Sequence, residues 1–242
     1  MNWSRFVKKL CISALMLLCL AQASWAAENN NDPLEGWNRS VHQFNEVMDD
    51  YIARPAAKTY RAVLPKFVRN GIGNFFSNLG EIPTAANDIL QAKPGAALEA
   101  SGRFLINSTL GIFGLFDVAT LFGIDEHSED FGQTLAVWGV GSGPYLVLPF
   151  LGPSTLRDTA SIYPNYYLSP VRYADLSEAE TYGVLLLEQL HRRHDLLDAE
   201  SIVQGDRYRF FKDAYLQSRE YEIKDGQVED KFDAGLDDLL LD

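Results

Sequence analysis

Between Leu34 and Tyr51 the apolar residues Leu34, Trp37, Val41, Phe44, Met48 and Tyr51 recur in alternating steps of three and four. That period puts them on one face of a helix. Asp32 is placed to cap it, Pro33 to fill its first position, and Glu35 to complete a capping box. Pro55 and Pro65 bracket a short helix over 56–64. A second stripe (Val68, Ile72, Phe75, Phe76, Leu79) predicts a helix over 66–80. Another short helix follows over 82–91, with Pro83 in its first turn, and Pro94 opens a helix toward Leu110. Near the C-terminus Ser177 and Glu180 start a helix whose Ala179, Gly183, Leu186, Leu187, Leu190 and Leu197 share a face. A last helix is expected over 206–222, with Tyr208, Phe210, Phe211 and Tyr215 inward. The fold class is therefore mainly α, with no internal repeat and no run of alternating strands. One short irregular Gly/Pro-rich hairpin is expected, 133–140 against 145–150.

Two stretches are too apolar for an ordinary surface element. From Thr134 to Leu156 there are 23 residues without a charge, enough by length to cross a bilayer. Four Gly and three Pro punctuate them, so no straight spanning helix can form. The stretch reads as irregular backbone resting on apolar surroundings. Phe104 to Ile124 carries a single charge, Asp117. Asn107, Ser108, Thr109 and Asp117 make a span expensive. A bent helix pair lying at an interface, exposing Phe104, Leu105, Ile112, Phe113, Leu115 and Phe116, competes with a core helix pair. The Tyr/Pro-rich segment 161–174, with Tyr163, Tyr166, Tyr167 and Tyr173, suits an interface or the edge of a wet pocket.

The N-terminus changes the compartment. Arg5, Lys8 and Lys9 precede an apolar run from Leu10 to Ala23, and Ser24-Trp25-Ala26 supplies small residues before a cleavage point. Residues 1–26 read as an export signal, 27–222 as one helical domain, and 223–242 as an acidic, mobile tail. Both cysteines, Cys11 and Cys19, fall in the signal, so no disulfide is expected in the mature chain. Leu18 stands where a lipobox needs a small residue, so a lipid anchor on Cys19 is not expected. Without the leader the chain has 18 basic and 33 acidic residues, net −15. That disfavours nucleic acid as a partner and simple electrostatic attachment to anionic lipid heads. Membrane contact would have to come from apolar area.

Chemical motifs are sparse. Gly139-Val140-Gly141-Ser142-Gly143-Pro144 lacks the Gly-Lys-Ser/Thr of a phosphate loop, and Pro144 sits where a dinucleotide fingerprint needs glycine. A turn is the better reading. Ser154, in Gly152-Pro153-Ser154-Thr155-Leu156, lacks the second glycine of a nucleophile elbow and reads as a cap. His191 and His194 lack a third ligand at metal spacing and sit beside Arg192 and Arg193. Arg157-Asp158 ends the charge-free run; pairing with a neighbour or with Asp130 is the leading role for Arg157, a phosphate contact the second. No cofactor and no metal is implied.

The ordered blocks from residue 32 to 220 resemble one family. They include Asp32-Pro33-Leu34-Glu35-Gly36-Trp37-Asn38-Arg39, Phe44-Asn45, Arg69-Asn70-Gly71, Arg103-Phe104, Asp117-Val118-Ala119 and Phe131-Gly132-Gln133-Thr134-Leu135. Gly139 through Tyr145, Leu156-Arg157-Asp158 and Asp213 through Arg219 complete the set. The pattern is similar to that of the MlaA (VacJ) family. The resemblance implies a ring-like single domain of amphipathic and interfacial helices in the inner leaflet of the Gram-negative outer membrane. It further implies contact with a trimeric outer-membrane porin, and removal of mislocalised phospholipid to a periplasmic phospholipid carrier, without enzymatic chemistry. The missing lipobox departs from the pattern. A passage or gate is expected at Asp130, Gly139, Gly141, Gly143, Pro144, Tyr145, Arg157 and Asp158. The rival readings are a periplasmic lipid hydrolase using Ser154 and a structural envelope protein.

Overall fold

The computed structural model describes residues 32–203 and 205–227; the expected signal, Cys19 and most of the acidic tail lie outside them. The chain runs through helices α1 (Glu35–Met48), α2 (Arg54–Val63), α3 (Lys66–Leu90) and α4 (Pro94–Thr109), then the short α5 (Phe131–Val137). Strands β1 (Tyr145–Leu148) and β2 (Gly152–Thr155) follow, then α6 (Leu156–Leu168), α7 (Glu178–Asp195) and α8 (Arg207–Ile223). The mainly helical single-domain expectation holds, and several boundaries move for physical reasons.

Pro55 does not separate two helices. A π-helical turn, Asp49–Ala53, joins α1 to α2. The wider turn accommodates the proline ring where an α-helical carbonyl would clash with it. Pro83 likewise sits inside one continuous α3, so the two short helices expected over 66–80 and 82–91 are one. The α1 start also differs. Helix begins at Glu35; the Glu35 carboxylate bonds Arg39, and Asp32 accepts from the Leu34 amide and the Asn38 carboxamide. The box at Ser177/Glu180 is present as expected, with both reciprocal bonds made. The α7 face differs, however: Leu186 is exposed, while His194 is buried.

The expected hairpin has the wrong first strand. Asp130 caps α5 by accepting from the Gly132 and Gln133 amides, so 133–140 is mostly helix. Gly139, at φ +86°, ends it: the Val140 amide reaches the Leu135 carbonyl and the Gly139 amide the Ala136 carbonyl, a left-handed glycine stop. The true hairpin pairs β1 with β2 antiparallel, Tyr145 opposite Thr155 and Leu148 opposite Gly152. Phe150 and Gly152 adopt positive φ in its turn.

Helix α1 holds this hairpin through two asparagines. The Asn38 carboxamide donates to the Tyr145 carbonyl at 3.0 Å and accepts from the Val147 amide at 2.8 Å. Asn45 does the same for the Leu148 carbonyl at 2.9 Å and the Phe150 amide at 2.8 Å. Two helical turns advance about 10.5 Å and three strand residues about 10 Å, so the two side chains match the open edge of β1. Behind them Val41, Tyr145, Val147 and Tyr208 form the small apolar core, with Tyr215 packed against it.

Elsewhere the usual distribution is inverted. The fully buried side chains include Arg103, Glu81, Asn38, Asn87 and Asp88, whereas Phe67, Leu98, Leu105, Phe113, Leu121, Phe122 and Phe150 are exposed. No described helix is long and apolar enough to cross a membrane.

Candidate functional site

The first component is an apolar turn. Helix α4 stops at Thr109, and 110–122 is a compact turn ending in a 3-10 segment, Thr120–Phe122, not the second helix of a bent pair. Gly111 and Gly114 lie at its buried centre, where an added Cβ would strike the Asn107 backbone and the Asn78 side chain respectively. Ile112 and Phe113 take left-handed backbone at φ 53° and 56°, strained for a β-branched and an aromatic residue. Asn107 holds this shape: its oxygen accepts from the Val118 and Ala119 amides at 2.8 and 2.9 Å, and its nitrogen donates to Asp117. Asn74 of α3 donates to the Leu115 carbonyl at 3.0 Å. Polar groups thus fix a turn whose Ile112, Phe113, Leu115 and Phe116 all face outward, joined by Leu105; Phe104 is half-buried. Water penalises such a contiguous apolar surface.

The second component is a clamp. Arg219 of α8 makes a bidentate pair with Asp130, both bonds at 2.7 Å, and a third bond to Asp158 at 3.0 Å. It therefore ties together the two ends of the charge-free stretch. Tyr215 donates to Asp158 at 2.7 Å, and Thr155 caps α6. Burial pushes the Asp158 carboxyl up, but Arg219, Tyr215 and Arg157 outweigh it and hold it down at about 2. Burial alone would lower the Arg219 guanidinium; the two carboxylates leave it raised. A cavity of about 230 Å³ opens beside the clamp, lined by Ile162, Asn165 and Ser218 among others.

The third component is a polar cleft of about 410 Å³ between α3, the segment 126–128 and α7. From α3 come Gly73, Asn74, Ser77, Gly80, Glu81 and Thr84; from α7 come Glu188, His191, Arg192 and Asp195. Ser77 donates to Glu126 at 2.7 Å. Glu81 pairs with Arg103, which also donates to the Ile124 carbonyl and Thr120. Burial raises the Glu81 carboxyl above its ordinary range despite Arg103. Gly73 lets the His191 ring approach α3: a Cβ there would lie 2.5 Å from His191 Nε2. Tyr60 completes this seam, its hydroxyl 3.1 Å from His191 Nδ1. Asn74 both lines the cleft and braces the apolar turn, so the two features adjoin.

Of the expected passage residues, Asp130 and Asp158 come together, through Arg219. Arg157 does not pair with Asp130: it is buried, 3.2 Å from Asp158. Gly143 and Tyr145 are buried, Gly141 and Pro144 are half-buried, and Gly139 is exposed. Pro144 and Ser142 accept from the Leu156 and Arg157 amides, and the Tyr145 ring belongs to the core. Ser154 is not the cap; that is Thr155, while the buried Ser154 hydroxyl lies 3.0 Å from Thr159 Oγ1. His194 is buried against Arg61, and burial with that cation lowers its pKa. The cleft residues were missed. Their signal is a polar and small stripe, Gly73/Asn74, Ser77, Gly80/Glu81 and Thr84, repeating with the same helical period as the apolar stripe on the opposite side.

Comparison with known proteins gives one answer. The model of the MlaA lipoprotein family matches residues 30–222. The intermembrane phospholipid transport system lipoprotein MlaA of Escherichia coli K12 is 33% identical over 225 residues, covering 90% of this chain and 89% of that protein. Its Haemophilus influenzae counterpart is 32% identical, covering 87% and 86%. A solved structure reported as the structural basis for maintenance of bacterial outer membrane lipid asymmetry superposes with TM-score 0.72 at 35% identity. It covers 80% of this chain and all of the other. The chain belongs to the MlaA lipoprotein family.

Proposed function

We propose that this protein removes mislocalised phospholipid from the outer leaflet of the outer membrane and passes it toward a periplasmic phospholipid carrier, maintaining lipid asymmetry. The observation that carries the reading is the inverted distribution of polarity. A phospholipid has a charged head and apolar tails. A carrier path for it needs a wet, polar interior against an apolar exterior that tolerates lipid. The cleft supplies the first, and the Leu105–Phe122 surface supplies the second.

The protein sits on the periplasmic side of the outer membrane, its apolar turn in the inner leaflet, beside a trimeric porin. The relatives carry the word lipoprotein in their names; here Leu18 before Cys19 leaves the apolar surface and the porin as the holding contacts. No covalent step is part of this role; the Ser154 hydroxyl bonds the Thr155 carbonyl and Thr159 Oγ1. A passive path cannot by itself set a direction; net flow follows differences in lipid free energy between its ends.

The test is complementation in cells lacking the gene, reading outer-leaflet phospholipid. The wild-type chain should restore asymmetry and copurify with phospholipid and porin. Gly141→Pro in the 139–144 segment should raise outer-leaflet phospholipid while leaving the protein folded. Wild-type asymmetry in that variant rules out a gating role for the segment. Failure of the wild-type chain to restore asymmetry rules out the transport role.

A further inference from the structure

The cleft carries more than polarity. Glu81, Glu126, Glu188 and Asp195 line it against one permanent cation, Arg192, and the two histidines His127 and His191. Arg192 is itself largely exposed and leans on Glu188 at 2.7 Å. Glu81 is the informative side chain. Its Oε1 takes the Arg103 guanidinium, yet its Oε2 is buried without any hydrogen-bond partner, although the residue is only 2% exposed. A buried carboxylate oxygen left in that condition is costly and calls for a donor. On the same wall Glu126 is about half exposed and lies 3.8 Å from the same Arg103 guanidinium, so the acid excess of the cleft comes from four carboxylates against Arg103 and Arg192.

We infer that the cleft recognises a zwitterionic phospholipid head. The primary ammonium of an ethanolamine head meets the Glu81–Glu126 wall, and its phosphate meets Arg192. This inference rests on the phospholipid path proposed above and adds a head-group preference to it. A primary ammonium brings N–H donors and a positive charge, which the acid excess favours. A glycerol head brings hydroxyls but leaves the phosphate charge unbalanced among carboxylates. A choline head has the charge and no N–H.

The test is competition on the mature, delipidated protein in dodecyl maltoside, offered equimolar phosphatidylethanolamine, phosphatidylglycerol and phosphatidylcholine of identical chains. Bound lipid is counted by native mass spectrometry. Ethanolamine lipid should be enriched about tenfold over glycerol lipid, with choline lipid between them. Glu126→Gln, at an exposed site that keeps an acceptor for Ser77, should cut the enrichment by about threefold. Arg192→Gln should weaken all three lipids alike. Soluble glycerophosphoethanolamine should compete more than about tenfold less well, for want of acyl chains. If it competes as well as the lipid, the ligand is a soluble amine and the lipid-head assignment falls. Phospholipid binding without head preference, or enrichment unchanged by Glu126→Gln, overturns the inference and leaves the transport reading intact. No phospholipid binding at all overturns both.

Discussion

Replacing Arg219 by methionine removes the one side chain that joins Asp130 to Asp158 while keeping length and apolar stem. The wild-type contribution is readable from Asp158. Its carboxyl is held at about 2 against an ordinary 3.8, which corresponds to about 2 kcal/mol of native stability near neutral pH. The variant loses the Arg219 share of that, while Tyr215 and Arg157 stay on Asp158; breaking one side of a buried pair costs about 3–5 kcal/mol in all. The pH dependence separates this from mere loss of packing. In the wild type the folded pKa is depressed, so the contribution is complete above 3.8 and disappears as pH falls through 2. In Arg219→Met burial is opposed only by Tyr215 and Arg157, so the Asp158 pKa moves up and the variant gains stability relative to wild type on acidification. Urea unfolding in detergent, followed by tryptophan fluorescence at pH 7 and pH 4, should show a gap from wild type that narrows at pH 4. Asp158→Asn in the Arg219→Met background should recover part of the loss. An unchanged midpoint, or the same deficit at both pH values, would refute the clamp.

Three further outcomes are expected. Gly73→Ala should displace the His191 ring and break its bond to Tyr60, costing about 1 kcal/mol in urea unfolding. Adding Tyr60→Phe should then cost little more, because the bond is already gone. Phe113→Glu with Phe116→Glu should reduce vesicle flotation, since each exposed ring buries about 1.5–3 kcal/mol of transfer energy in lipid; undiminished flotation would place the membrane contact elsewhere. Asn107→Ala should lower the melting temperature, because the Val118 and Ala119 amides lose their acceptor, at about 1–3 kcal/mol. Asn107→Asp keeps that oxygen but turns the Asp117 contact into a carboxylate pair, so it should be no milder.

Helices with a strong apolar period, a capping box or an opening proline are legible from the sequence, as α1, α7 and α4 illustrate in turn. Boundaries set by tertiary context were not. Pro55 and Pro83 look like breaks, yet a π turn and the packing of α3 absorb them. The Gly-rich end of 133–140 suggests a hairpin, whereas Asp130 and Gly139 are a helix start and stop at the right separation. Asn107 was visible as too polar for a span; that it braces a turn depends on amides eleven and twelve residues ahead. Arg219 was part of the family pattern, but its pairing across 89 residues to Asp130 leaves no local trace. The cleft was hidden differently: apolar periodicity marks what a helix packs with, whereas here the polar stripe of α3 lines the candidate site.

We propose that phospholipid passes through the polar cleft beside an apolar, lipid-facing turn. Photocrosslinking in living cells tests it most directly, with a photoreactive amino acid at Ser77 in the cleft and, separately, at Phe113 on the turn. The mature wild-type chain is expected to have no cysteine, so conjugation chemistry at the site would also be free of background. Covalent phospholipid adducts at both positions, with those at Ser77 accumulating when the downstream carrier is absent, are the expected result. Adducts at Phe113 with none at Ser77 would contradict it: the protein would then rest on lipid without conducting it.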